Sequence, residues 1–189
     1  MPENRSFSLL PLIAEEQIKN RIEILADQIT SDLGFSDLVM IGLLNGSFIF
    51  LADTVRALHR RGMKIWVDFI RVESYGMGSE STGKVEMKYP LSLNIENRNV
   101  LLVDDILDTG HTLQFVTQYL QQKHPHVLKT CVLLDKPSRR KVSIQPDYVG
   151  FQVPDVFIVG YGLDYQYQFR ELPGLFIVSF ENPMSGRSS

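Results

Sequence analysis

The chain has 189 residues, of which 44% are hydrophobic and 22% are charged. This composition is typical of a globular protein and excludes a disordered or fibrous one. At this length folding buries roughly 70% of the surface of the unfolded chain, so a single domain over residues 1–189 needs no disulfide or structural metal to hold its core. The formal net charge of −3 offers no basic surface for nucleic acid, and we expect no such partner.

The N-terminal segment contains no basic start followed by a long apolar core. No apolar run reaches the roughly 20 residues that a membrane-spanning helix needs. We therefore expect a cytoplasmic protein without a membrane partner. The single cysteine, Cys131, lies in an apolar run, where we expect a buried small side chain with no chemical role.

The first predicted helix covers about residues 13–33, and Gly34 offers a stop. Its apolar residues recur at the helical interval: Ile18, Ile22, Leu25 and Ile29. A short apolar strand over residues 38–44 follows. After a brief turn, a second helical pattern begins at Phe48, so the order is strand, turn, helix.

A second strand over residues 64–73 precedes a stretch rich in glycine and serine, which predicts a flexible loop. Residues 100–103 predict another strand, followed by an acidic loop and a helix that opens at Thr112. The remaining predicted strands cover residues 127–134, 148–153, 157–161 and 175–180. This alternation predicts an α/β fold, with an open, mainly parallel sheet flanked by helices. Such sheets bind ligands at the carboxyl ends of their strands.

Residues 101–113 are the most informative segment, because an apolar strand, an acidic loop and a helix start follow one another. Gly110 lets the backbone turn tightly. The amides and hydroxyls of Asp108, Thr109 and Thr112 are expected at the positive end of the helix, where a phosphate is favoured. The loop therefore predicts a site for a monophosphate.

Asp104 and Asp105 lie just before this loop and would repel a phosphate unless they met a cation or sugar hydroxyls. A phosphorylated sugar satisfies both demands. The plainer alternative is that acids after a strand cap the next helix. A receiver domain also has paired acids, but its pair lies near the start of the chain and its phosphoacceptor on a later strand.

The whole string resembles the signature of the type I phosphoribosyltransferases: apolar residues, two acids, two apolar residues, then Asp-Thr-Gly and a further Thr. The resemblance implies a small hood of strands beside the sheet and a flexible catalytic loop. It also implies that Asp104 and Asp105 bind ribose and magnesium. The residues implied to bind the 5′-phosphate are Asp108, Thr109, Gly110, His111 and Thr112.

Residues 44–48 resemble the pyrophosphate loop of the hypoxanthine-guanine branch of this family. The resemblance implies a cis peptide bond before Asn45 and a pyrophosphate held by Asn45, Gly46 and Arg170. Many relatives carry Lys or Arg at the position of Asn45, so this chain would depend more on amides, magnesium and Arg170. The plain alternative for this Asn-Gly pair is an ordinary turn.

Residues 68–76 resemble the strand that leads into the family's catalytic lid. The implied lid runs from Ser74 to about Lys84 and includes Tyr75. Closing a lid would keep water away from the cationic, oxocarbenium-like sugar of the transition state. A simple surface loop has the same composition.

Lys136 lies at the end of an apolar strand and resembles the family lysine that donates to the purine O6. An ammonium there favours 6-oxopurines over adenine. Taken alone, a lysine at a strand end is usually solvated. We interpret the neighbouring Arg139, Arg140 and Lys141 as a solvated turn.

Residues 154–165 resemble the family's base-binding segment. The resemblance implies that Phe157 stacks on the purine and that the backbone of Ile158 meets its Watson-Crick edge. It also implies that Asp164 lies at the base site and helps to hold magnesium. Spacing alone would make Phe157 a core residue.

The resemblance implies an enzyme of purine salvage that transfers the 5-phosphoribosyl group of phosphoribosyl pyrophosphate to hypoxanthine and guanine. Asp108 is the expected general base, close to the purine N7. Mg²⁺ is the expected cofactor, with Asp104, Asp105 and Asp164 as its ligands. The expected partners are small-molecule substrates and further copies of the chain in a homodimer or homotetramer, joined through an apolar face near residues 48–51 or Trp66.

Two alternatives remain open. The enzyme could prefer xanthine or guanine, which residues near Ile158 and Leu163 would decide. Alternatively, the chain could be a regulatory protein that keeps the fold as a nucleotide sensor. Such regulators usually add a nucleic-acid-binding face, whereas this sequence has no basic tract and retains Asp108 and Lys136.

Overall fold

The computed structural model describes residues 7–34, 37–75 and 84–180, with only the backbone of Ser74, Tyr75 and Lys84. Within these residues, two sheets and three α-helices account for the regular structure. The elements in chain order are β1 (Phe7–Ile13), α1 (Glu15–Leu33), β2 (Leu38–Leu44), α2 (Phe48–Arg60), β3 (Ile65–Tyr75), β4 (Lys84–Tyr89), β5 (Asn99–Leu107), α3 (His111–Gln121), β6 (Val127–Asp135), β7 (Tyr148–Gln152), β8 (Ile158–Val159) and β9 (Leu175–Phe180).

The main sheet has six strands in the order β4-β3-β2-β5-β6-β7. All neighbouring pairs are parallel except β3 and β4, which are antiparallel. The central strand β2 is buried along almost its whole length, because helices cover both faces of the sheet. The predicted α/β fold with a mainly parallel sheet is confirmed.

Alternate residues of the central strands face opposite helical layers. Met40 of β2 belongs to the apolar core that contains the buried residues of α1 and α2. Val39 and Ile41 belong instead to the core that contains the buried residues of α3. None of the described helices is long and apolar enough to cross a membrane.

A second sheet of three antiparallel strands, in the order β1-β9-β8, forms the hood implied by the family resemblance. The prediction of a strand over residues 157–161 is wrong beyond Val159. Gly160, Tyr161 and Gly162 have φ angles of 100°, 48° and 102°, which lie outside the strand region. β1 was not predicted; Pro11 interrupts its apolar residues, and most of the strand is exposed or half-buried.

The prediction that a loop starts at Ser74 is wrong, because Ser74 and Tyr75 continue β3. They pair with Val85 and Lys84 of β4, a strand that was not predicted. Antiparallel pairing therefore extends the strand beyond the end of its apolar pattern. The rest of the predicted lid, residues 76–83, lies outside the described residues.

Cys131 of β6 is fully buried, as predicted. Burial raises the pKa of its thiol to about 12. The thiol is therefore protonated and poorly nucleophilic near neutral pH.

Helix α1 offers a matched test of the core. Ile22 is 3% exposed and Ile24 is 48% exposed on the same helix. We expect Ile22→Ala to lower the free energy of unfolding by about 2 to 5 kcal/mol, because the lost side chain leaves a cavity. Ile24→Ala should cost no more than about 0.5 kcal/mol. Urea denaturation of both variants checks this, and equal losses would contradict the packing described for α1.

Candidate active site

A cleft of about 460 Å³ opens at the carboxyl ends of β2 and β5. Four separate segments contribute its polar lining. The polar and glycine residues of this lining are Asn45, Gly46, Asp104, Asp105, Asp108, Thr109, Gly110, Thr112, Arg139, Asp164 and Arg170. All of them except Arg139 were predicted site residues, so the fold brings most of the predicted site together.

The register of the sheet explains this convergence. β2 and β5 are parallel neighbours, and Gly42 pairs with Val103. The carboxyl ends of these two strands therefore lie at the same edge of the sheet. Asn45 and Asp104, which are far apart in the chain, thus line one cleft.

Asp104, which is buried, and Asp105, which is half-buried, form an acidic pair near the end of β5. The backbone N–H of Asp105 donates to Oδ1 of Asp104 at 2.9 Å. Burial raises the pKa of Asp104 well above its ordinary value, and the charge of Asp105 raises it further. Burial also raises the pKa of Asp105, although hydrogen bonds and the charge of Arg170 partly oppose this effect. The pair therefore resists double ionisation unless a cation reaches it.

The loops that carry Gly46 and Gly162 meet β5 at Asp105 without room for a side chain on either glycine. A Cβ atom at Gly46 would lie 1.7 Å from Oδ2 of Asp105. Gly162 has a φ of 102°, and a Cβ atom there would lie 2.1 Å from the carbonyl oxygen of Gly46. The peptide bond between Leu44 and Asn45 is cis, as the family resemblance implied.

Arg170 binds the loop that carries Asp164. Its Nη2 lies 2.6 Å from Oδ1 of Asp164, and its Nη1 donates to the carbonyl oxygen of Gly162 at 2.5 Å. The backbone N–H of Tyr167 donates to the other oxygen of Asp164 at 2.8 Å. Both oxygens of this carboxylate therefore have internal donors.

Gly110 precedes α3 in a left-handed conformation, with a φ of 91°. A Cβ atom there would lie 2.8 Å from the side chains of Val142 and Ile144, so the position suits only glycine. The turn leaves the first amides of α3 at the cleft, where they can bind an anion. Thr109, Gly110 and Thr112 line the cleft, whereas His111 lies outside its lining.

Lys136 is 6% exposed, which excludes the alternative of a solvated lysine. Its Nζ donates to the carbonyl oxygen of Val156 at 2.7 Å and lies 3.9 Å from Oδ1 of Asp155. Lys136 is outside the lining of the cleft. Its ammonium therefore binds the segment that leads into β8.

Phe157 is 45% exposed, so it is not the core residue that spacing alone would make it. Its ring makes edge-to-face contacts with Tyr165 and Phe180, at centroid distances of 5.6 Å and 6.5 Å. Ile158 is buried in β8. Neither Phe157 nor Ile158 lines the cleft itself.

The interpretation of Arg139 and Arg140 as a solvated turn is wrong. Nε of Arg139 donates to Oδ1 of Asp108 at 2.9 Å. Arg140 points inward, pairs with Asp135 and donates to the carbonyl oxygens of Leu107 and Asp108. Their position in the sequence could have indicated a role in the cleft, because both arginines follow the carboxyl end of β6, the strand next to β5.

No group of three or more His, Cys, Asp or Glu residues within the described ranges could by itself hold a metal ion. This arrangement still fits Mg²⁺, which is usually bound by one or two carboxylates together with substrate phosphates and water. Asp104 and Asp105 supply hard oxygen donors of the right kind. A magnesium ion would therefore depend on a phosphorylated ligand for the rest of its shell.

Comparison with known proteins identifies the family. The family model described as phosphoribosyl transferase domain matches residues 13–166. The chain belongs to the phosphoribosyltransferase family. It is 49% identical over 179 residues to a hypoxanthine-guanine phosphoribosyltransferase of Aquifex aeolicus, a match that covers 94% of this chain and 99% of that relative.

Two solved structures of this family are similar to the chain. A hypoxanthine-guanine phosphoribosyltransferase from Bacillus anthracis matches with a TM-score of 0.84 at 44% identity, over 89% of this chain and 97% of that one. A hypoxanthine phosphoribosyltransferase from Trypanosoma cruzi matches with a TM-score of 0.85 at 39% identity, over 94% of each chain. The predicted family is confirmed, and the protein is a transferase.

Gly46 provides a test of the contact between the loops. In Gly46→Ala the new methyl group must displace the carboxylate of Asp105, and we expect phosphoribosyltransferase activity to fall by at least about 100-fold. Gly34→Ala is the control, because Gly34 has a positive φ and no neighbour within 4 Å of a Cβ atom. It should cost about 1 to 3 kcal/mol of stability but leave the activity unchanged. An active Gly46→Ala enzyme would contradict the close contact.

Proposed function

We propose that this enzyme transfers the 5-phosphoribosyl group of phosphoribosyl pyrophosphate to hypoxanthine and guanine in purine salvage. The bond between the anomeric carbon and pyrophosphate breaks, the bond to the purine N9 forms, and IMP or GMP is released. The observation that carries this proposal is the convergence of the α3 N-terminus, the acidic pair and Arg170 in one cleft. The substrates follow from relatives with this activity in their names.

The 5′-phosphate binds at the start of α3. Backbone amides there are free of helical partners and point at the ligand, and the helix dipole favours negative charge. The residues assigned to this site are Asp108, Thr109, Gly110, His111 and Thr112. Anchoring the phosphate in this way fixes the ribose relative to the purine and lowers the entropic cost of bringing the reactants together.

Asp104 and Asp105 are assigned to the ribose hydroxyls and would also hold magnesium. Mg²⁺ bound there would supply positive charge to offset the charge that develops on the departing pyrophosphate. Asp164 is assigned to the same ion, which requires Arg170 to release Oδ1 or the N–H of Tyr167 to release Oδ2. Arg170 then donates charged hydrogen bonds to the pyrophosphate, which Asn45 and Gly46 also bind.

The purine binds between Lys136 and Phe157. The ammonium of Lys136 has three hydrogens and donates one of them to Val156, so two remain for the O6 oxygen of the base. Phe157 has an exposed ring that can stack on the purine. The backbone of Ile158 is assigned to the Watson-Crick edge.

Asp108 is the proposed general base. Its carboxylate lines the cleft and is 38% exposed, so it can accept a proton from the purine N7 as N9 attacks the anomeric carbon. The proposed lid, which follows Ser74 and Tyr75 of β3 in the chain, would exclude water during this step.

We also propose a single domain over residues 1–189, a cytoplasmic location, and a homodimer or homotetramer. Support for an interface through the apolar face comes from Phe48 and Trp66, which are 43% and 37% exposed. Leu51 was expected on the same face, but it is only 2% exposed and belongs to the core.

An assay of base specificity tests the proposed reaction. The purified protein is incubated with Mg²⁺, phosphoribosyl pyrophosphate and, in separate reactions, hypoxanthine, guanine, xanthine or adenine. We expect nucleotide from hypoxanthine and guanine, none from adenine, and none when EDTA removes the metal. Asp108→Asn should lower the rate roughly 100-fold to 10,000-fold, as loss of a general base does.

Asp37→Asn is the matched control, since Asp37 is exposed and lies outside the cleft. It should react at the wild-type rate. Conversion of xanthine in preference to hypoxanthine would replace the proposed base specificity. Failure to convert any purine, together with tight binding of nucleotide, would favour the regulatory alternative.

A further inference from the structure

The carboxylate of Asp108 is already bound on one side. Nε of Arg139 donates to its Oδ1 at 2.9 Å. In the described part of the chain, no donor lies within hydrogen-bonding distance of the other oxygen, Oδ2. One oxygen therefore fixes the orientation of the group, and the other can accept a further hydrogen bond.

Arg139 also joins Asp108 to the base-binding segment. Its Nη1 lies 3.5 Å from Oδ2 of Asp155. Oδ1 of Asp155 in turn lies 3.9 Å from Nζ of Lys136. Four side chains of alternating charge thus connect the proposed general base with the lysine assigned to the purine O6.

The backbone that carries Arg139 is held in place. Residues Pro137–Arg139 form a short 3-10 turn. The N–H of Arg139 donates to the carbonyl oxygen of Lys136 at 3.0 Å, and the N–H of Lys136 donates to the carbonyl oxygen of Leu107 at 3.0 Å. The turn is therefore attached to the end of β5, one residue before Asp108.

The ion pair between Arg139 and Asp108 is partly shielded from water, because the two side chains are only 34% and 38% exposed. A planar guanidinium presents its donors in a fixed geometry, so it can hold two carboxylates at a defined angle. These features suit the orientation of a reactive group better than a general contribution to stability, since ion pairs near the surface stabilise a fold by little.

We propose that Arg139 is a positioning residue for the phosphoribosyl transfer. It orients the carboxylate of Asp108 through Oδ1 and leaves Oδ2 to accept a hydrogen bond from the purine. Through Asp155 it also fixes the position of the Asp108 carboxylate relative to Lys136. This inference rests on the proposed function, because it requires Asp108 to act on a purine.

Kinetic constants distinguish this role from two others. A positioning residue acts on the chemical step, so its loss lowers kcat and leaves the KM for phosphoribosyl pyrophosphate close to the wild-type value. A direct phosphate ligand would raise that KM. A purely structural residue would lower the unfolding temperature and the activity together.

The experiment measures kcat, both KM values and the unfolding temperature of Arg139→Ala, Arg139→Lys and Lys141→Ala. We expect Arg139→Ala to lower kcat roughly 10-fold to 100-fold, the scale of a small misplacement of a catalytic group. Arg139→Lys should recover part of this loss, because it keeps the charge without the fixed fork. Lys141→Ala removes an exposed cation from the same segment and should match the wild type.

Asp155→Asn adds a second test. It should lower kcat less than Arg139→Ala does. Its effect should shrink in the Arg139→Ala background, because Asp155 and Arg139 both act on the carboxylate of Asp108. Full additivity of the two substitutions would contradict the connection through Asp155.

A raised KM for phosphoribosyl pyrophosphate with unchanged kcat in Arg139→Ala would overturn the proposal, as would a loss explained by a lower unfolding temperature. Unchanged kinetics would do the same. An active wild-type enzyme with an unaffected variant refutes only the role of Arg139, whereas a wild-type protein that forms no nucleotide contradicts the proposed function itself.

Discussion

The cleft depends on one steric constraint, the contact between Gly46, Asp105 of β5 and Gly162. No Cβ atom fits at either glycine, because a carboxylate oxygen and a carbonyl oxygen occupy that space. The same contact packs the carboxylate of Asp105 against Gly46, and its loss of hydration raises the pKa of this carboxyl group. Backbone packing thus produces the electrostatic property of the site, since an acid held in this way favours the approach of a cation.

The charges around the cleft follow from this arrangement. Arg170 neutralises Asp164, and Arg139 neutralises Asp108, so both acids are paired in the free protein. The N-terminus of α3 at one end of the cleft and Arg170 at the other can each bind an anion. A ligand with phosphate groups at both ends and hydroxyl groups between them matches this order of charges. Phosphoribosyl pyrophosphate has that form.

Most of the fold could be predicted because its strands and helices carry strong apolar patterns. The segment over residues 101–113 also predicted the loop at the cleft, since its composition and its chemistry are local. The edge strands β1 and β4 were missed, because neither forms the continuous apolar run of a central strand: Pro11 interrupts β1, and charged residues alternate with apolar ones in β4. Arg139 was missed for another reason. Its partner Asp108 lies 31 residues away in the chain, and only the pairing of β5 with β6 brings the two together.

A crystal structure of the protein with Mg²⁺ and phosphoribosyl pyrophosphate would show directly whether the loops at Gly46 and Gly162, the end of β5 and the α3 N-terminus form one substrate site. We expect the 5′-phosphate on the amides of residues 109–112, the metal on the carboxylate of Asp105, and the pyrophosphate beside Gly46 and Arg170. A ligand bound elsewhere, or bound with Arg170 still paired to Asp164 and no metal at Asp105, would contradict it.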